Sequence, residues 1–229
     1  MIDLKDKQNR FLVLTGNYGS GKTEIAINLA FSANEHEKVT LVDLDIVNPY
    51  FRSGEKAEQL RQAGVRVLMP VFALTTVDIP ALPPEIQSVF EQPYDRIIFD
   101  VGGDDTGAAA LGRYYPSFMA HREETCMALV VNCMRPLTRT ADDIIDLAAR
   151  ISNRGRLPIS ILINNTNLAG QTTPEMLEEG ERTVSECAER LGVHSVINAG
   201  MPHILAKSYL IHPQMPVCRT MVPEWMEDE

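Results

Sequence analysis

The run Gly16-Asn17-Tyr18-Gly19-Ser20-Gly21-Lys22-Thr23 sets three glycines directly ahead of a lysine and a hydroxyl. Glycines let a backbone curl until successive N–H groups converge on an anion. A helix starting at Lys22 adds the positive end of its dipole. In this arrangement residues 16 to 23 cradle a chain of phosphates. Lys22 meets the β- and γ-phosphates as a point charge, and Thr23 turns its hydroxyl to Mg²⁺.

A hydrated Mg²⁺ also needs a carboxylate at the tip of a neighbouring strand. Residues 96–103, RIIFDVGG, supply Asp100 at the end of an apolar run, where open α/β sheets place their ligands. Gly102 and Gly103 follow, and a glycine there can bring its N–H to a γ-phosphate. Residues 41–45, LVDLD, end a second apolar run on Asp43 and Asp45. Two carboxylates two residues apart face the same side of an extended chain. One can join the Mg²⁺ shell through water while the other orients an attacking water. Asn48 and Pro49 then mark a turn.

Elements must hold these groups together. Apolar runs recur at 10–15, 39–44, 65–70, 96–101, 127–132, 159–164 and 194–198. They are continuous rather than alternating and rich in Val, Ile and Leu, as strands covered on both faces are. Helical patterns lie between them. Residues 21–34 carry Ile25, Ala26, Leu29 and Ala30 on one face. Residues 140–155 open with Thr140 and Asp143 in capping-box spacing and are read as stopping at Gly155. Residues 173–192 have Thr173 as N-cap, Pro174 at the first helical position and Gly192 as the stop, with Gly180 interrupting the pattern. Segments 52–64 and 107–121 are weaker helices, the second broken or kinked at Pro116. The alternation predicts a three-layer α/β/α P-loop fold around a mostly parallel sheet of about seven strands, with residues 1–229 as one nucleotide-binding domain.

The bulk numbers fit such a domain. The chain has 229 residues, 45% of them hydrophobic, enough to bury a core without disulfides. A net charge of −10 with no Lys/Arg cluster argues against nucleic acid as a ligand. Cys126, Cys133, Cys187 and Cys218 form no C-x-x-C pair and read as reduced thiols. The five histidines show no metal-ligand spacing. No stretch has the length and apolarity of a membrane span, and neither the polar start nor the acidic PEWMEDE end reads as a signal or anchor. A cytoplasmic location is expected.

The set GNYGSGKT, LVDLD and FDVGG resembles the MinD/ParA/ArsA-like group of SIMIBI-class P-loop ATPases, the CobQ/CobB/MinD/ParA nucleotide-binding domain. ISILINNTN is similar to the strand whose terminal Asn reads adenine in that group, here Asn164. SVINAGMPHILAKS is similar to the later strand and loop that pack on the base. The resemblance spans residues 10 to 217. It implies an ATP- and Mg²⁺-dependent hydrolase, a homodimer that sandwiches ATP and signals to a protein partner. Asp45 would position the water, Asp43 would belong to the first switch loop and Asp100 to the second. The absence of N/T-K-x-D from INNTN favours adenine over guanine.

One departure is central. The group's P-loop has a lysine after the first glycine that reaches across the dimer, and this chain has Asn17. Arg52 and Arg113 are the substitutes that the sequence suggests. The cysteine pair of iron–sulfur members, the amphipathic tail of membrane-docking members and the basic clusters of DNA-binding members are all missing. Asn17 equally suits an ATP-dependent small-molecule kinase, a dethiobiotin-synthetase-like ligase with Arg52 on an anionic substrate, or a barely hydrolysing interaction module.

Overall fold

The computed structural model of the chain describes residues 9–45, 57–69 and 84–220. The turn at Asn48 and Pro49, Arg52, the anion-binding candidate 49–55, and Trp225 with the acidic tail lie outside these residues.

The chain alternates strand and helix. In order it runs β1 (Phe11–Thr15), α1 (Lys22–Asn34), β2 (Val39–Leu44), α2 (Ala57–Gln62), β3 (Arg66–Leu68), α3 (Glu85–Ser88) and β4 (Arg96–Val101). Then follow α4 (Asp105–Arg113), α5 (Tyr115–Ala120), β5 (Thr125–Val131), α6 (Ala141–Gly155), β6 (Ile161–Asn164), α7 (Pro174–Leu191), β7 (Ser195–Gly200), α8 (Pro202–Leu205) and β8 (Gln214–Pro216). The strands form one sheet in the order β3-β2-β4-β1-β5-β6-β7-β8, and every pairing is parallel. The eighth strand was not expected. It is a three-residue edge strand containing proline, too short to make an apolar run.

Strand residues alternate between two cores. Phe11 and Val13 of β1 face the layer of α3 to α7, whereas Leu12 and Leu14 face α1 and α2. Burial on both faces is what makes these strands continuous in hydrophobicity. α1 is buried more completely than its one-face pattern suggests, Ile27 included. Residues 217–220 lie along it. The Asn28 carboxamide exchanges two hydrogen bonds with the Cys218 backbone (2.9 and 2.8 Å), and Glu24 accepts from Thr220.

The helix ends follow local chemistry. Thr140 and Asp143 form the reciprocal capping box of α6. Thr173 caps α7, Pro174 opens it and left-handed Gly192 closes it. The chain breaks between α4 and α5 at Tyr114, with Pro116 in the first turn of the second helix. Gly155 is not the stop of α6. Arg156 takes the left-handed turn at φ 59°, and Gly155 stays helical because a Cβ there would press on Leu111 of α4. Gly180 does not interrupt α7. It leaves room for Asn164 and Thr166, whose side chains occupy the space a Cβ would need.

Candidate functional site

Parallel pairing brings the chemistry to one end of the central strands. β1 delivers the glycine loop between β4 and β5, its immediate neighbours. In the β2–β4 register Asp43 lies opposite Asp100, so two carboxylates from distant sequence sit side by side, about 4.8 Å apart along the ladder. This is the carboxyl end of the strands, where such sheets bind ligands.

The loop at 16–20 closes on itself through the Ser20 N–H on the Asn17 carbonyl (3.1 Å). Gly21 then enters α1 in the left-handed region at φ 85°. Its missing Cβ is also required for contact with Asn165, whose carboxamide donates to the Ser20 carbonyl (2.8 Å). Among the described residues no side chain caps α1, which leaves its first N–H groups available at the loop. Gly103 packs so closely on the Gly16 carbonyl and the Asn17 N–H that only glycine fits.

Five side chains meet at the start of α1. Lys22 is buried and its Nζ lies 3.0 Å from Asp45 Oδ2. Thr23 Oγ1 donates to Asp100 Oδ2 at 2.6 Å. Asp43 Oδ1 accepts from the Asp45 N–H at 2.9 Å. Burial pushes the Asp100 carboxyl up to about 6, although the Lys22 charge and the Thr23 hydroxyl pull it down. Lys22 is held above the usual lysine value: burial opposes its charge, and the field of Asp100 and Asp45 outweighs that. Among the described residues, Asp100 Oδ1, Ser20 Oγ and Thr15 Oγ1 are buried with no hydrogen-bond partner. Buried polar atoms are rarely left so, and Asp100 Oδ1, beside the Thr23 hydroxyl, is an oxygen still able to meet a ligand.

This donor set fits Mg²⁺. The ion takes hard oxygen ligands, usually one or two protein groups with water completing the shell. The Thr23 hydroxyl and the Asp100 carboxylate are oxygen donors already in contact, and Asp100 keeps an orphaned oxygen.

Beside the loop opens a cavity of about 400 Å³. Tyr18, Gly19, Gly21, Lys22 and Thr23 form its wall on the side of the glycine loop. Leu177, Met201, Ile204 and Val217 make the far wall apolar, and Asn165, Thr166 and Asn167 give it a polar edge. Gly200, Met201 and Ile204, from the segment SVINAGMPHILAKS, line this cavity.

Asn164 does not line this cavity. It is fully buried, and its carboxamide is fully used: Nδ2 donates to the Leu177 carbonyl (2.9 Å) and Asn198 Oδ1 (2.8 Å), while Oδ1 accepts from Thr166 Oγ1 (2.7 Å) and N–H (3.2 Å). Strand alternation is the reason. Asn164 turns toward α7 at Gly180, and the next residue, Asn165, turns toward the P-loop. Asn164 therefore organises the loop that Asn165 and Asn167 present.

Asn17 also behaves differently from a reaching lysine. Its side-chain oxygen accepts from the Tyr18 N–H at 2.9 Å, so the side chain folds onto its own loop. Of the suggested substitute cations, Arg113 is exposed at the far end of α4, roughly 12 Å along the helix axis from Asp105. The structure brings up Arg135 instead. Its Nε donates to the Gly19 carbonyl at 3.2 Å, and it lines the cavity. Arg135, in RPLTR with Arg139, carries no motif signal; only the fold reveals it.

No protein-family model matches the chain, and no curated protein does. Solved structures do. A nucleotide-binding protein from Archaeoglobus fulgidus, solved with ADP, is 13% identical over 89% of this chain and 88% of its own, with a TM-score of 0.50. The 54 kDa protein of the signal recognition particle from Aeropyrum pernix K1, solved with GDP, is 20% identical over 85% of this chain, with a TM-score of 0.51. This chain has the P-loop NTPase fold. It spans 44% of the second protein's length, and identities this low establish architecture alone. Among the described residues, no helix is long and apolar enough to cross a membrane.

Proposed function

We propose that this chain binds Mg–ATP in the P-loop and adjoining cavity, hydrolyses it, and serves as a nucleotide-dependent switch on a protein partner, working as a cytoplasmic homodimer. The observation that carries the reading is the convergence of Lys22, Thr23, Asp43, Asp45 and Asp100 on the uncapped start of α1. The triphosphate lies along the 16–23 backbone, its charge met by N–H groups and Lys22. Thr23 and Asp100, with Asp43 behind them, would hold a Mg²⁺ ion, which when bound would supply Lewis-acid neutralisation of phosphate charge.

The ion pair of Lys22 with Asp45 sets the order of events. The triphosphate and Asp45 compete for one ammonium group. When phosphate takes Lys22, Asp45 is released and can orient a water for in-line attack. The water oxygen bonds to the γ-phosphorus, the bond to the β-bridging oxygen breaks so that ADP leaves, and both water protons depart with the phosphate as dihydrogen phosphate. Gly103, packed on Gly16, senses the loop's occupancy and relays it to α4. The adenine preference rests on the Asn165 and Asn167 edge of the cavity and on the lack of an N/T-K-x-D pattern in INNTN.

Asn17 favours a second reading. Folded onto the Tyr18 N–H, it offers no charge to a partner's phosphates, as in a P-loop enzyme that transfers phosphate to a small molecule. Phosphate release at increasing protein concentration, with sedimentation in the presence and absence of a non-hydrolysable ATP analogue, separates the two. Turnover per chain that rises with ATP-dependent dimerisation supports the switch. A concentration-independent monomer that turns over only when a metabolite is added refutes it.

A further inference from the structure

Arg135 is an unused cation at the site. Its Nε bonds the Gly19 carbonyl, yet among the described residues its terminal nitrogens have no hydrogen-bond partner and no counter-ion. Its guanidinium occupies the space beside Gly19, 2.9 to 3.3 Å from where a Cβ would stand. Any side chain at position 19 would displace it.

The position is built, not incidental. Asn132 at the end of β5 is fully buried and ties three loops together. Its Oδ1 accepts from the N–H groups of Met134 (3.0 Å) and Asn167 (3.2 Å), and its Nδ2 donates to the Asn167 carbonyl (3.1 Å) and, at 3.5 Å, to the Gly19 carbonyl of the P-loop. Its carbonyl accepts from the Arg135 N–H (3.0 Å) and Thr138 Oγ1 (2.7 Å). The loop carrying Arg135 is thus fixed to the base-side loop and lies over the P-loop.

The direction along the site follows. Asp43, Asp45 and Asp100 mark the γ-phosphate end and are not part of the cavity wall, whereas Arg135 shares that wall with Tyr18, Gly19 and Asn167. It stands between the P-loop and the base side. We propose that Arg135 binds the α-phosphate of the nucleotide as a second, cis-acting cation supplied by the β5–α6 loop. The charge complement of the loop is then Lys22 at one end and Arg135 at the other, with Asn17 as a neutral loop-closing residue. The proposal rests on the nucleotide-binding reading above.

Calorimetric titration of Mg–ADP and Mg–ATP into wild type, Arg135→Gln and Arg135→Lys tests it. Arg135 is exposed, so both variants fold. Arg135→Gln should weaken ADP and ATP equally, by roughly tenfold, and Arg135→Lys should recover most of that loss. Loss confined to ATP would place the guanidinium at the γ-phosphate and overturn the assignment. Unchanged affinity in both variants would equally overturn it. If wild type binds neither nucleotide, the nucleotide-binding reading itself fails; if wild type binds and the variants match it, only Arg135 is refuted.

Discussion

Replacing Asp100 with Asn should make the ligand-free protein more stable and useless. In the folded chain the carboxyl is fully buried, holds one hydrogen bond from Thr23 and leaves Oδ1 unpaired. Burial raises it from 3.8 to about 6 even with Lys22 nearby. The folded state therefore binds this proton more tightly than the unfolded chain does. Stability from this group is fully present below about pH 4 and is lost as pH rises through about 6. At 1.36 kcal/mol per pH unit, the loss at pH 8 is ~3 kcal/mol. Asn keeps the shape and can still accept from Thr23, but carries no charge to desolvate. For a chain of this size ~3 kcal/mol corresponds to a rise in Tm of roughly 6–12 °C at pH 8. Calorimetric melts of both proteins at pH 5 and pH 8, with and without Mg–ATP, measure this. The gain should shrink at pH 5, and Mg–ATP should raise the Tm of wild type only. An Asp100→Asn protein that melts at or below wild type at pH 8 would refute the idea that this carboxylate is held at a cost for a metal ion.

Other perturbations have equally definite outcomes. Lys22→Ala removes the counter-charge of buried Asp45 and should destabilise the free protein by roughly 3–5 kcal/mol in urea melts, with Asp45→Asn added to it recovering much of the loss. Asp45→Asn alone frees Lys22, so nucleotide affinity should hold or tighten while phosphate release slows by roughly 100-fold; an unchanged rate would remove Asp45 from the water-orienting role. Gly180→Ala drives a methyl into Asn164 and Thr166 and should cost roughly 1–3 kcal/mol, together with weaker nucleotide binding through the displaced Asn165 loop.

Legibility in the sequence followed the range of the interactions. The P-loop spacing, the strand-ending Asp43 and Asp100, the Thr140–Asp143 box and the Gly192 stop are local patterns, and each marks its structural position directly. Asn164 illustrates the failure at one residue's resolution: in INNTN, which Asn faces the cavity depends on where strand alternation ends, and the partner that decides it, Gly180, is on another helix. Gly155 looked like a stop because glycine often is one, but packing on Leu111 set its role. Arg135 was invisible because Asn132 and Gly19 place it through tertiary bonds. The strand Gln214–Pro216 and the strap on α1 carry no apolar run, so only pairing with β7 and the Asn28 clip define them.

The central claim is that Lys22, Thr23 and Asp100 form a Mg²⁺–nucleotide site. Titrating ATP into wild-type protein with Mg²⁺ and with excess EDTA, alongside Lys22→Ala, tests it most directly. The account predicts saturable binding at one nucleotide per chain, weakened at least about tenfold by EDTA and abolished by Lys22→Ala. Equal affinity in all three titrations, or no binding in the first, would contradict it.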